Sequence, residues 1–192
     1  MHRQAVPLEK SYLLLNHGPV TLISSAHQSQ QNVMSASWAM PLDFDPPKVV
    51  VVIDRNTYTR QLINASGEFA INIPCKQMAQ TIIDVGSETG TNVDKIKQFK
   101  LATEKGSHVQ APLIEGCIAW LECKVIQEPH NQQQYDLFIA QVMAAWADDR
   151  VFHNGRWNFA EESLRTLHYA AGGQFFETSN PFQIKTGSNF SL

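Results

Sequence analysis

The chain is predicted to be mainly β, an antiparallel barrel with a few short peripheral helices. Three observations carry this. Residues 32–41 alternate as a strand does, and Val49-Val50-Val51-Val52-Ile53 is apolar throughout. Two long strand-like segments, 117–126 and 135–146, flank a polar loop over 127–134. Many strands with few helices suit a closed barrel, and barrel mouths are common ligand sites.

The elements follow in order. Val20-Thr21-Leu22-Ile23-Ser24-Ser25 reads as the first barrel strand. In the strand over 32–41, Met34, Ala36, Trp38 and Met40 face one way and Val33, Ser35, Ser37 and Ala39 the other. One face is bulky and oily, the other small and dotted with hydroxyls. Asp45-Pro46-Pro47 leads into the valine run, which is too short for a helix and reads as a fully buried strand. The polar turn Asp54-Arg55-Asn56-Thr57-Tyr58-Thr59 then feeds a helix over 60–66, stopped by Gly67. Phe69-Ala70-Ile71-Asn72-Ile73 alternates as a strand. Met78, Ile82, Ile83 and Val85 recur at helical spacing, which predicts a helix over 76–86. Residues 148–158 form a polar turn region, and the tail carries Gly172-Gly173 and Phe175-Phe176 before Pro181. One domain over 1–192 is expected, with its core at about 15–178.

Composition narrows the function classes. With 17% charged and 43% apolar residues over 192 positions, the chain is globular rather than disordered. A net charge of −3 provides no basic footprint for nucleic acid. The segment Met1-His2-Arg3-Gln4-Ala5-Val6-Pro7 has no apolar signal core, and no stretch reaches the length of a membrane helix. Cys75, Cys117 and Cys123 make an odd count without a Cys-x-x-Cys pair. Cys117 and Cys123 sit on one predicted strand facing the same way, too far apart to bridge, so a reducing, cytoplasmic compartment is expected. The seven histidines lack metal-ligand spacing, no dinucleotide fingerprint is present, and no serine sits in a nucleophile elbow.

A strand that runs through hydroxyls and an arginine into a helix N-terminus is suited to an anion, because free amides, the helix dipole and Arg55 converge there. Thr57 or Thr59 could equally be a plain helix cap. The small residues of the 32–41 strand would let a large planar ligand lie close to the backbone, and the same pattern also suits an ordinary sandwich strand.

Taken together, these segments resemble the flavin reductase-like, FMN-binding split-barrel family, in its flavoredoxin-type branch. The resemblance rests on the Asn-x-x-Ser-x-Ser-like core beginning at Asn32, the Asp-Pro-Pro lead-in, the Arg-x-Thr-x-Thr turn, and Gly67-Glu68-Phe69-Ala70-Ile71-Asn72-Ile73-Pro74. It continues through Ser87-Glu88-Thr89-Gly90-Thr91-Asn92-Val93-Asp94-Lys95, Leu121-Glu122-Cys123-Lys124-Val125, and Leu167-His168-Tyr169-Ala170-Ala171-Gly172-Gly173-Gln174-Phe175. The resemblance implies a Greek-key split barrel that dimerises, with FMN at the subunit interface and one face of the flavin open to a second substrate. It adds Ser87, Gly90 and Lys95 to the cofactor-binding candidates Met34, Ser35, Ala36, Ser37, Trp38, Arg55, Asn56, Thr57 and Thr59, and it makes His168 a candidate on the active-site rim.

The residues support FMN on physical grounds as well. FMN needs a clamp for about two negative charges, a thin slot for three fused rings, and donors along its polar edge. The 54–59 turn, the small face of 33–39 and its backbone amides answer these needs in that order. Asp54 is expected to point away and hold the turn. Two departures from the family stand out: Thr91-Asn92 replaces an arginine found before Val-Asp-Lys in many flavoredoxin-like members, and Gln134-Tyr135-Asp136-Leu137 lacks the histidine of the shorter NAD(P)H:flavin reductases. The second departure favours a protein that keeps its FMN. Two functions follow: an oxidoreductase passing electrons from NAD(P)H through FMN to an acceptor, or an FMN electron carrier serving a redox partner protein. A homodimer is expected, with His168, Tyr169, Phe175 and Phe176 or the second subunit covering the flavin.

Overall fold

The computed structural model describes residues 19–153 and 156–184; the N-terminal segment with His2 and His17, and the side chain of His153, lie outside the described residues. Seven antiparallel strands form the main sheet: β1 (Thr21–His27), β2 (Gln30–Ala36), β3 (Ala39–Phe44), β4 (Pro47–Val52), β5 (Glu68–Ile73), β8 (Ala119–Ile126) and β9 (Leu137–Ala147). Their order is β2-β1-β5-β8-β9-β4-β3. The short pairs β6 (Thr103–Lys105) with β7 (Pro112–Ile114), β10 (Phe152–His153) with β11 (Arg156–Trp157), and β12 (Leu167–Ala171) with β13 (Gln174–Glu177) lie apart from it.

β2 and β3 stand at opposite ends of that order, yet only Ser37 and Trp38 separate them in the chain. The two sheet edges must therefore come together, and the sheet rolls into a barrel around Ile23, Ala36, Val51, Phe69, Cys123 and Phe138. This is the split barrel expected from the sequence. α1 (Tyr58–Ser66) contributes Ile63 to that core. Gly67, at φ 72°, ends the helix as expected, its amide donating to the Ile63 carbonyl at 2.8 Å. A second core lies on the outer face, where Ile82 and Val85 of α2 (Ala79–Ser87) cover Leu22 and Val33.

Several sequence expectations need correction. Residues 32–41 are not one strand, because the chain must leave one edge at Ser37–Trp38 to reach the other. Met34 faces the barrel core, but Trp38 and Met40 are 53% and 58% exposed, so the bulky face is divided. The valine run is buried on one face only: Val49, Val51 and Ile53 point inward, and Val50 and Val52 are half-exposed outside. The 76–86 helix is a 3-10 turn (Lys76–Met78) followed by α2. The polar loop over 127–134 holds a short helix, α4 (Pro129–Gln134), opened by its proline. Cys117 precedes β8 and packs in the outer core, whereas Cys123 lies in the barrel core, so the two do not share a strand face. The turn region over 148–158 contains the β10–β11 hairpin. Among the described residues no helix is long and apolar enough to cross a membrane.

Candidate functional site

The turn before α1 is built by its own side chains. The Asp54 carboxylate accepts from the Asn56 amide at 2.7 Å, and its carbonyl accepts from the Thr57 amide and hydroxyl at 3.1 and 2.8 Å. Asp54 thus holds the turn. Thr57 is the N-cap, its Oγ1 accepting from the Arg60 amide at 3.2 Å. The amides of Tyr58 and Thr59, first in the helix, have no acceptor within it and carry the positive end of its dipole.

These groups open onto a cleft of about 250 Å³ lined by Met34 and Ser35 of β2, Asn56, Thr57 and Thr59, and Gly90 and Lys95 beyond α2. Seven residues chosen from sequence thus share one wall system. A second cleft, about 270 Å³, adjoins it through Ser35 and Gly86 and adds Ser37, Ser87 and Tyr169.

Lys95 opens the short helix α3 (Lys95–Gln98) and is almost fully buried. Its Nζ donates to the carbonyls of Val33 at 3.1 Å and Val85 at 2.7 Å, bridging β2 to the last turn of α2. Burial pushes its pKa down to about 8, against the opposing pull of Glu88. An ammonium has three hydrogens, and two are spent on carbonyls. Asn32 on β2 is also buried: its Nδ2 donates to Thr59 Oγ1 at 2.8 Å, and its Oδ1 has no partner. A Cβ at Gly90 would stand 2.3 Å from that oxygen and 2.7 Å from the Tyr58 ring, so only glycine lets the 88–92 loop seat here.

Other candidates are elsewhere. Arg55 does not line either cleft. Its guanidinium donates to the Gln133 carbonyl at 2.9 Å and pairs with Asp136 at 3.3 Å. Arg60 meets the same Asp136 oxygen, Oδ1, at 3.1 Å, reaches the Ile53 carbonyl at 2.8 Å, and lies 4.5 Å over the Phe138 ring. Asp136 is partly buried, which acts to raise its pKa, but the hydrogen bond from Arg60 and the charge of Arg55 hold it below the usual range. The expected convergence of Arg55 on the anion cleft is therefore absent: a carboxylate at the start of β9 draws it away. Ala36 is buried in the barrel core, and Trp38, whose carbonyl accepts from the Val52 amide at 3.0 Å, lines neither cleft. His168 lies half-buried on β12 opposite Phe176 and lines neither cleft; its neighbour Tyr169, on the alternate face, does. Ser35 and Ser87 spend their protons on the Ile82 and Ile83 carbonyls.

The selection from sequence missed Asn32, Tyr58, Gly86, Glu88 and Thr89. Asn32 stood in the motif quoted for the family, and Tyr58 lay between the two chosen threonines. Glu88 and Thr89 lay in the quoted Ser87–Lys95 segment. Gly86 had no sequence signal, since its place beside Ser35 follows only from α2 packing against β2.

An antiparallel barrel closed at Ser37–Trp38, with a helix N-terminus opening onto a cleft beside β2, places the chain in the split-barrel class. The flavin reductase like domain family matches residues 14–174, and the chain belongs to that family. A protein of Escherichia coli (strain K12), the uncharacterized YddH, is 39% identical over 175 residues, covering 88% of this chain and 93% of that one. The FMN-binding domain of a flavin reductases-like enzyme from Shewanella baltica OS155 is 45% identical, with TM-score 0.85 over 95% of this chain and 97% of that one. Flavoredoxin of Desulfovibrio vulgaris (Miyazaki F) shares the fold at 23% identity, with TM-score 0.81 over 98% and 99% of the two chains.

Proposed function

We propose that the protein is a flavoprotein oxidoreductase that binds FMN without a covalent bond and passes electrons from NAD(P)H to flavin or another acceptor. FMN is the cofactor that family membership indicates, and the β2 cleft suits it. The observation that carries this reading is the pairing of the α1 N-terminus and the Lys95 ammonium with the unpartnered, buried Asn32 Oδ1 in one cleft. The α1 amides and Lys95 answer the phosphate. Asn32 Oδ1 answers a hydroxyl or N–H donor of the ligand. The second cleft, with Ser37, Ser87 and Tyr169, extends the slot along the same edge. Bound FMN supplies hydride acceptance and one- or two-electron donation. The chain's own part is to hold the anion, exclude water with Met34, Val85 and Tyr169, and keep Lys95 protonated beside the phosphate.

The homodimer belongs to the same reading. The outer face of the sheet aligns Met40, Val50, Val52, Ile126, Leu137 and Ile139 in register across β3, β4, β9 and β8, all half-buried or exposed. An apolar sheet face of this kind is suited to a second copy.

The test is the visible spectrum of the purified protein, followed by anaerobic addition of NADH or NADPH in a stopped-flow instrument. A yellow protein that bleaches within seconds supports the enzyme. Reduction by dithionite alone converts the reading to the carrier that serves a redox partner protein. A colourless protein with no micromolar affinity for FMN overturns it. Sedimentation velocity tests the dimer.

A further inference from the structure

A cavity of about 510 Å³ shares no lining residue with the clefts at β2. It lies where the loop carrying β6 and β7 crosses the outer face of β8 and β9. Trp120 and Trp146 are direct cross-strand partners and form part of its wall. Both indoles are tied by their edges, Trp120 Nε1 donating to the Ile114 carbonyl at 2.9 Å and Trp146 Nε1 to Glu122 Oε1 at 2.9 Å. Trp146 remains 51% exposed.

The charge of this cavity is unbalanced. Glu122 is fully buried and receives four neutral donors: the Ser107 hydroxyl at 2.8 Å, the Trp146 indole, and the amides of His108 at 2.5 Å and Val109 at 3.2 Å. They satisfy its lone pairs and leave its charge without a counter-ion. Glu104 and Glu115 also line the cavity, exposed and without an ion-pair partner among the described residues. Arg150 is spent on Asp148, which it meets through Nε at 3.0 and 3.1 Å and through a terminal nitrogen at 2.5 Å. Lys105 is the one other cation in the lining. Fixed indoles attract a cation through their π-faces, and an unneutralised carboxylate set attracts it from further away.

We propose that this cavity is a binding site for a small organic cation, a primary ammonium carried on an aromatic or alkyl body. The body lies against Trp120 and Trp146, and the ammonium is directed to Glu115 and Glu104. A cavity of this size admits a ligand of that class. The site is independent of the flavin reading, since neither its walls nor its charges serve the β2 cleft.

The experiment is calorimetric titration of the purified protein with 2-phenylethylammonium, with 2-phenylethanol as the neutral match. The expected result is millimolar or tighter binding of the ammonium, at least about tenfold tighter than the alcohol. Raising the salt concentration weakens it. Trp146→Leu reduces affinity about tenfold, and the pair Glu104→Gln with Glu115→Gln reduces both affinity and its salt dependence, with FMN content unchanged in every variant. Equal binding of ammonium and alcohol, or no binding of either, overturns the proposal. So does shielding of Trp146 from acrylamide quenching in the protein as isolated, which would mean that a second copy covers the cavity.

Discussion

Lys95 at the β2 cleft and Glu122 at the β8 cavity are both buried, and neither has an oppositely charged partner in hydrogen-bond contact, yet they settle differently. Lys95 has two carbonyl acceptors for three hydrogens, and burial draws its pKa down to about 8. For Glu122, burial works to raise the pKa, but hydrogen bonds from Trp146, His108 and Ser107 outweigh it and bring the value to about 2. The difference shows that the count of hydrogen bonds, set against desolvation, decides whether a buried group stays firmly charged. The saturated carboxylate organises structure, since it latches the 106–109 loop to β8. The under-satisfied ammonium is left able to answer a ligand.

The strongest way to break this contrast is to remove the saturated acceptor. Glu122→Ala leaves four donors without their carboxylate and is expected to cost at least about 3 kcal/mol in urea unfolding. The sign with pH follows from its lowered pKa: the contribution of Glu122 is fully present above its ordinary value of 4.5 and is lost as pH falls through about 2. Glu122→Gln should therefore flatten the acid limb of the stability profile. An unchanged acid limb would mean that other carboxylates set it.

Next in size is Lys95→Met, which should weaken FMN binding by one to two decades, the value of a charge-assisted bond of about 1.5–3 kcal/mol. Wild-type affinity should fall as pH rises through about 8, where Lys95 loses its proton, and the variant should be flat there. In the absence of FMN the sign of the stability effect is reversed. The unfolded chain holds this proton up to the ordinary value of 10.5, so the Lys95 contribution makes stability rise with pH between about 8 and 10.5. Fluorescence titration of FMN and urea unfolding across that window separate the two effects.

Gly90→Ala sharpens the contrast at the loop. Its Cβ would displace Asn32 and Tyr58, so the cleft should loosen and FMN affinity fall about tenfold, while circular dichroism reports an intact barrel. The smallest effect is expected for Arg55→Ala. That side chain is 58% exposed and its guanidinium is held by Asp136 and Gln133, so FMN affinity should change by less than about twofold. A loss of a decade would show that Arg55 leaves Asp136 when the ligand arrives.

Much of this was legible in the chain. The helix stop at Gly67, the polar turn at 54–59, the alternation of 69–73 and the long β8 and β9 strands are local signals, set by backbone preference and period. So is the hydroxyl-bearing stretch of β2, and Met34, Ser35, Asn56, Thr57, Thr59, Gly90 and Lys95 all reach the same cleft. Arg55 could not be read in this way. Its direction depends on Asp136, 81 positions later in the chain, and no local pattern reports a partner at that separation. The break at Ser37–Trp38 was hidden for a similar reason: the alternation continues unchanged through a corner that exists only because the sheet closes.

The sequence by itself determined the family, the strand-rich class and the composition of the anion-binding turn, because these rest on residue type, short-range spacing and ordered motifs. Only the tertiary structure decided that Lys95 is buried between Val33 and Val85, that Asn32 keeps an unpaired oxygen, and that Asp136 removes Arg55 from the cleft. It also set Trp120 beside Trp146 and gave Glu122 its four donors. Charge state, hydrogen-bond count and exposure are properties of what surrounds a side chain, and those surroundings are assembled from segments far apart in the chain.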